Sequence, residues 1–387
     1  MSLSRKLSKI NPSPTLSLTA QAKAMKSQGI DVISFGAGEP DFDTPLAIKT
    51  AAKNAIDTGF TKYTPATGTV ELKEAIVEKL LKDNGLKYEP SQIVVSCGAK
   101  HSLYGVLQAI CNPKDEVIII APYWVSYPEM IKLADAKVKV IKTSEKNGFR
   151  VIPKQIEKAI TKKTKALILN SPSNPAGVIY SEKELKEIAD IVVKNNIYVI
   201  SDEIYEKLTY DGEKHISIAS FGEDIKAQTI TVNGVSKAYS MTGWRIGYLA
   251  ASKDIVKGVS LLQEHSTSNP SSISQKAALE ALKMDERTIN KMTEEFSKRR
   301  TLMSSLLDKI DKITYFNPKG AFYMYCDISK TKMKAADLAR KLLDDKKVVV
   351  IPGEAFGSDK HIRLSFATSS ENITKGLDRL KTWLEQL

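Results

Sequence analysis

Cysteine and histidine are scarce in this chain of 387 residues, with three of the first and four of the second. Cys97, Cys111 and Cys326 form no C-x-x-C pair and lie in apolar stretches. They read as buried thiols of a reducing compartment, not as disulfides. His101, His215, His265 and His361 are scattered without the spacing of metal ligands, so no metal is expected. No stretch approaches the ~20 apolar residues of a membrane span. Residues 1–10 are polar and lack the apolar segment of a secretory signal. A cytoplasmic protein with no membrane partner is expected. Internal repeats and low-complexity segments are also missing.

An acidic balance is missing too. Lysine and arginine number 57 against 45 for aspartate and glutamate, a net charge of +12. That excess is spread along the chain. Its densest runs, Lys162-Lys163-Thr164-Lys165 and Lys298-Arg299-Arg300, are short. They read as solvated faces, so no nucleic-acid partner is expected, although weak steering of anionic substrates fits the charge.

What is present is ample apolar material, 42% of residues, in a chain whose length predicts two domains. The middle of the chain alternates β-branched runs with helical patterns. The runs are Gln92–Ser96, Glu116–Ile120, Lys137–Ile141, Lys165–Asn170, Tyr198–Asp202, Gln228–Val232 and Ile246–Ala250. Several are apolar without alternation, as strands covered on both faces are. One intervening helix opens on a capping box, Ser181 with Glu184, and carries Leu185, Ile188, Ala189, Val192 and Val193 on one stripe. This rhythm predicts an α/β fold with a mostly parallel seven-stranded sheet flanked by helices. After about Met284 the pattern becomes a smaller α+β unit. It comprises a long charged helix, strand-like 321–326, helix-like 335–345, strand-like 348–351 and 361–366, and a last helix opened by Thr368 and Glu371. The first ~35 residues are too few to fold alone and are expected to pack on that unit. The predicted division is 46–284 for a large domain and 1–45 plus 285–387 for a small one.

Open α/β sheets bind ligands beyond the carboxyl ends of their strands, and unusual residues follow these runs. Ser96-Cys97-Gly98-Ala99-Lys100 is a small-residue turn into a helix, where free N–H groups can face a phosphate. Asn170-Ser171-Pro172-Ser173-Asn174-Pro175-Ala176-Gly177 is a polar loop restrained by prolines. Asp202, at the end of an apolar run, needs a positive partner such as a pyridinium, or else makes a structural ion pair. Lys237 lies just past another run, eight residues before Arg245. A lysine amine in a dry site can form a Schiff base, and an arginine can pair with phosphate.

The segment Ser236-Lys237-Ala238-Tyr239-Ser240-Met241-Thr242-Gly243-Trp244-Arg245-Ile246-Gly247-Tyr248 resembles the cofactor-lysine motif of the fold-type I, pyridoxal-phosphate-dependent aminotransferases. Further elements stand in that family's order: Gly38-Glu39-Pro40-Asp41-Phe42, Lys62-Tyr63-Thr64-Pro65, Pro122-Tyr123-Trp124, Asn174-Pro175-Ala176-Gly177, Asp202-Glu203-Ile204-Tyr205 and Arg363-Leu364-Ser365-Phe366. The resemblance covers nearly the whole chain, and within the family the chain looks like the bacterial aspartate aminotransferases.

The resemblance implies pyridoxal 5′-phosphate held on Lys237, whose freed amine acts as the base. It implies Asp202 on the ring nitrogen, Tyr205 and Asn174 on the ring oxygen, Trp124 stacked on the ring, and Gly98, Ala99 and Arg245 on the phosphate. Gly38 and Arg363 would bind the substrate α-carboxylate, and Lys100 would supply the second cation for a dicarboxylate. Tyr63 would reach the phosphate of a neighbouring subunit, which implies a homodimer with shared sites. Many relatives carry a serine where this chain has Gly234, so that phosphate contact is missing or passes to Ser236. Prephenate-active relatives carry a lysine where Asn11 stands, which argues against prephenate. The expected reaction moves the amino group of L-aspartate to 2-oxoglutarate. Other amino acids and 2-oxo acids (prephenate, aromatic or alanine), or a carbon–sulfur or β-lyase activity on the same fold, are the alternatives. Regulators of related fold carry a DNA-binding domain ahead of it, for which ~35 residues are too few.

Overall fold

The seven β-branched runs line up in a single sheet in the computed structural model, which describes residue 4 and residues 6–386. In spatial order the strands are Ile93–Ser96, Gly247–Ala250, Thr229–Gly234, Tyr198–Asp202, Thr164–Asn170, Glu116–Ala121 and Lys137–Lys142. Gly247–Ala250 runs antiparallel to both neighbours, and every other pairing is parallel. Helices cover the faces, and the central strands are buried along their length, as their unalternating apolar runs require. The Ser181–Glu184 capping box opens helix Glu182–Lys194, which buries Leu185, Ile188, Ala189 and Val192. Val193 is only partly buried beside them.

The pairing registers bring the functional segments together. Ser96 and Gly234 both pair with Gly247, Val232 pairs with Asp202, and Asp202 pairs with Asn170. One edge of the sheet therefore collects the phosphate-type turn, the Lys237 segment, Asp202 and the Asn174 loop. The Gly234–Gly247 pair is also a close approach. A Cβ on Gly234 would come within 2.9 Å of the Gly247 Cα, so no side chain fits there.

A second sheet, antiparallel throughout, has the order Ile351–Pro352, His361–Ser365, Tyr323–Asp327 and Thr314–Phe316. Helices Glu286–Leu307, Ala335–Lys346 and Ser370–Glu385 pack on it through Phe296, Leu338 and Trp383. The run expected as one strand over 348–351 is two. Val348–Val349 pairs in parallel with Ile33–Ser34, while Ile351–Pro352 joins the four-stranded sheet. Ala22, Val32 and Ile33–Ser34 thus pack on the C-terminal unit, whereas Lys6, Lys9 and Asn11 reach Asp135 and Glu129 of the large unit instead. The last helix is capped by Ser369, which accepts from the Asn372 N–H, not by Thr368.

Two readings of composition need correction. Arg299 and Arg300 are not solvated, being 7% and 5% exposed. Arg299 donates to Asp41 at 2.7 Å, and Arg300 donates to Asp211 and to the Pro318 carbonyl, each at 2.9 Å. Their charge is spent tying the long helix to neighbouring loops. Of the three thiols only Cys326 is buried, while Cys97 and Cys111 are partly exposed.

Successive strand residues face opposite sides. Behind Asp202, Glu203 is wholly buried and accepts from Ser201 at 2.8 Å and Ser217 at 2.7 Å, with His215 Nε2 at 3.0 Å. Glu206 lies close enough to Glu203 and His215 for the three to surround a cation, but it already pairs with the buried ammonium of Lys79 and accepts from Asn84 at 2.9 Å. Burial alone would raise the Glu206 pKa. The Lys79 charge and hydrogen bond outweigh that and hold it at about 2. This pair anchors helix Val70–Asn84 to the turn that follows Asp202. Glu206→Ala, which strands the ammonium, should lower the unfolding free energy by about 3–5 kcal/mol. Because the folded pKa is depressed, the contribution of Glu206 is complete above the usual carboxylate range and fades as pH falls toward about 2. Urea unfolding at neutral and acid pH checks both points: the variant should lose stability at pH 7 and part of its acid sensitivity.

Candidate active site

A cavity of about 250 Å³ opens where the carboxyl edge of the large sheet meets the second sheet. Gly38, Ala99, Lys100, Trp124, Asn174, Asp202, Tyr205, Ser236, Lys237, Arg245 and Arg363 all line it. Of the residues expected to hold cofactor or substrate, two stand outside the lining. Gly98 is the N-cap of helix Ala99–Ile110 just behind it, and Tyr63 is 90% exposed elsewhere on the surface.

Lys237 is partly buried, and its Nζ donates to the Gly38 carbonyl at 2.6 Å. Burial lowers its pKa to about 8 against the opposing pull of Glu39, with the charges of Arg245 and Arg363 assisting. An amine tuned this way has a far larger neutral, nucleophilic fraction near neutral pH than an ordinary lysine, though it is still mostly protonated there. Asp202 is 4% exposed and accepts from the Tyr127 phenol at 2.6 Å and from the Ile204 N–H at 3.3 Å. Burial raises it to about 6 despite these donors. Among the described residues no cation forms an ion pair with it, so a positive ligand atom is what this carboxylate is built to receive.

Gly98 has φ of 87°, and a Cβ there would strike the Arg245 guanidinium. The glycine therefore lets Arg245 lie across the first turn of helix Ala99–Ile110, beside free N–H groups. Arg245 is itself held by the carbonyls of Thr242 at 2.9 Å and Cys97 at 3.3 Å and pairs with no carboxylate among the described residues. A guanidinium over a helix N-terminus is a phosphate cradle. Together these features fit pyridoxal phosphate: an amine for its aldehyde, a buried anion for its ring nitrogen and a cationic turn for its phosphate.

Arg363 is 2% exposed. One of its nitrogens donates to Asn174 Oδ1 and another to the Gly36 carbonyl, each at 3.0 Å, while Nε is buried without a partner. Its guanidinium lies 4.3 Å from the centroid of the Tyr323 ring. Lys100 is exposed at the rim, its Nζ 4.9 Å from the Trp124 centroid, and partial desolvation followed by the Arg245 charge lowers its pKa.

A match to the model of the aminotransferase class I and II family spans residues 30–380. The chain belongs to that family. Its members use pyridoxal phosphate. The chain is 45% identical over 391 residues to the aspartate aminotransferase of Bacillus subtilis (strain 168), covering all of both chains. It is 44% identical to the probable aspartate/prephenate aminotransferase of Aquifex aeolicus (strain VF5), over 100% of this chain and 99% of that one. Among solved structures, the aspartate aminotransferase of Thermus thermophilus with maleate matches at a TM-score of 0.95 and 41% identity, over 99% of each chain.

Sequence reasoning missed several lining residues of this aminotransferase: Thr15, Tyr127, Asn170, Thr242 and Tyr323. Tyr323 Oη lies 2.8 Å from Tyr205 Oη. Asn170 holds the Asp202 carbonyl and the Asn174 N–H, each at 2.9 Å. Two signals existed. Tyr127 stands one helical turn beyond Trp124, and Tyr323 lies on the strand that pairs with that of Arg363. Because only the neutral amine attacks an aldehyde, the rate at which the cofactor-free protein captures pyridoxal phosphate should rise with pH and level off above about 8. Lys237→Ala should abolish the visible absorbance of the bound cofactor and nearly all turnover. Stopped-flow absorbance over a pH series measures both.

Proposed function

We propose that this aminotransferase moves the amino group of L-aspartate to 2-oxoglutarate, giving oxaloacetate and L-glutamate. The observation that carries the reading is a pair of cations, buried Arg363 and rim-placed Lys100, lining the same cavity as Lys237 and paired with no carboxylate among the described residues. Two cations on one cavity suit a substrate with two carboxylates. The names of the relatives and the maleate of the Thermus structure, itself a dicarboxylate, support the same choice.

Pyridoxal phosphate supplies an electron sink for the bond electrons of the substrate Cα. The chain's own residues do the rest. Arg363, with the Gly38 backbone, orients the α-carboxylate. Asn174 gives its oxygen to Arg363 and so keeps its amide N–H₂ for the ring oxygen, which Tyr205 shares. Asp202 would hold positive charge on the ring nitrogen, Trp124 would cover the ring, and Gly98, Ala99, Ser236 and Arg245 would hold the phosphate. The Lys237 amine, once free, would take the proton from the substrate Cα and hold it for return. The division into 46–284 and 1–45 plus 285–387 belongs to this reading, supported by the two separate sheets. Positions 1–3, 5 and 387 of it lie outside the described residues. A homodimer sharing its sites is supported by the exposure of Tyr63, Leu46, Val70 and Leu261, at 90%, 71%, 55% and 58%.

A panel of amino donors against 2-oxo acceptors, with pyruvate and ammonia release measured in parallel, tests the reading. Rapid elimination without amino transfer would replace it with a lyase. Lys100→Ala should cut kcat/KM for aspartate and glutamate about 10- to 100-fold, the range for a hydrogen bond to a charged group, and leave alanine nearly unchanged. Equal losses for both classes would make Lys100 a cofactor residue instead.

A further inference from the structure

Tyr127 has no place in the reading above, yet it touches the carboxylate that the reading needs charged. It sits in helix Ser126–Leu133, 2% exposed, one turn beyond Trp124. Its phenol donates to Asp202 Oδ2 at 2.6 Å, and its ring meets Trp124 edge-on, with centroids 5.3 Å apart at 80°. It is the side-chain donor to a carboxylate whose other oxygen has only a backbone N–H at 3.3 Å.

We propose that Tyr127 is the positioning residue that keeps Asp202 ionised and aimed at the cofactor's ring nitrogen, while bracing Trp124 at the ring face. The inference rests on the pyridoxal-phosphate reading of the cavity and deepens it. The chemistry is one-directional. Burial, then the Asp202 charge, raise the phenol far above its ordinary range, so it stays protonated and can only donate. A donor stabilises the anion and not the neutral acid. Three other groups bear on Asp202: Glu203 beside it favours the neutral form, and Lys237 and the Ile204 N–H favour the charged form. Without the phenol, burial is the largest influence left, and it favours a neutral acid. Such an acid cannot hold a ring nitrogen positive, so the electron demand on the substrate Cα falls.

Tyr127→Phe removes one oxygen and keeps the ring. The full chain and the variant are loaded with pyridoxal phosphate and titrated by visible absorbance, and cofactor affinity and the pH profile of kcat are recorded. The unsubstituted protein should show a visible band with a single pH midpoint. In the variant that midpoint should rise, because a less positive ring would withdraw less charge from the Lys237 side-chain nitrogen. The cofactor dissociation constant should rise about tenfold or more, as for loss of a hydrogen bond to a charged group. The kcat profile should gain a new fall on the acid side, where Asp202 picks up its proton. The thermal midpoint of both cofactor-free proteins, expected to agree within a few degrees, separates this from misfolding. If band midpoint and acid limb match in the two proteins, Tyr127 only packs and the proposal is overturned. If the unsubstituted protein forms no visible band, the cofactor reading itself falls and takes the proposal with it.

Discussion

A carboxylate and a guanidinium, Asp202 and Arg363, are buried in one cavity without neutralising each other. Each is at most 4% exposed, and among the described residues no ion pair joins them. Removing isolated charges from water is costly. The surrounding structure therefore spends its polar groups on holding them in place: Tyr127 and the Ile204 N–H on Asp202, Asn174 and the Gly36 carbonyl on Arg363. Asp202 without an ion-pair partner among the described residues, and the buried Nε of Arg363 without a hydrogen bond there, suit a ligand that carries both signs of charge. It needs a cation at one end and an anion at the other.

The two sheets serve that separation. The large sheet brings Asp202, Asn170, Gly234 and Ser96 to one edge by register, and the second sheet supplies Arg363 and Tyr323 from adjacent strands. Residues 33–38 connect the two units. Ile33–Ser34 pairs with Val348–Val349, while the Gly36 and Gly38 carbonyls accept from Arg363 and Lys237. A shift of this segment moves partners of both the proposed base and the proposed carboxylate receptor. Behind the edge, Glu203 and Glu206 anchor the Asp202 turn through Ser201, Ser217 and Lys79. Polar contacts thus hold the chemistry from both sides of the strand.

Membership in the aminotransferase family explains why amine, anion and phosphate cradle occur together. The proposed selectivity rests on residues around them. Lys100 depends on its perch over Trp124, and Trp124 in turn meets Tyr127 and through it Asp202. In the proposed reading, the groups that meet substrate charge and cofactor ring are in this way joined by one chain of contacts.

The sequence by itself determined the strand set. Each of the seven β-branched runs is a strand of the large sheet: the unalternating ones are covered on both faces, while alternating Lys137–Lys142 forms its more exposed edge. It also determined most lining residues, since lysine, aspartate and arginine at strand ends stand out against an apolar background. Tertiary structure alone decided the rest. Arg299 and Arg300 look like surface charge in sequence and become buried ties, because their partners Asp41 and Asp211 are remote along the chain. The run 348–351 divides between two sheets because Ile33–Ser34, more than 300 residues away, captures its first half. Tyr127 and Tyr323 are marked in the sequence only by their placement near Trp124 and Arg363, since a tyrosine's hydroxyl acquires meaning only from what packs opposite it. Long-range pairing is invisible to local pattern, and it is this pairing that turned separate motifs into one cavity.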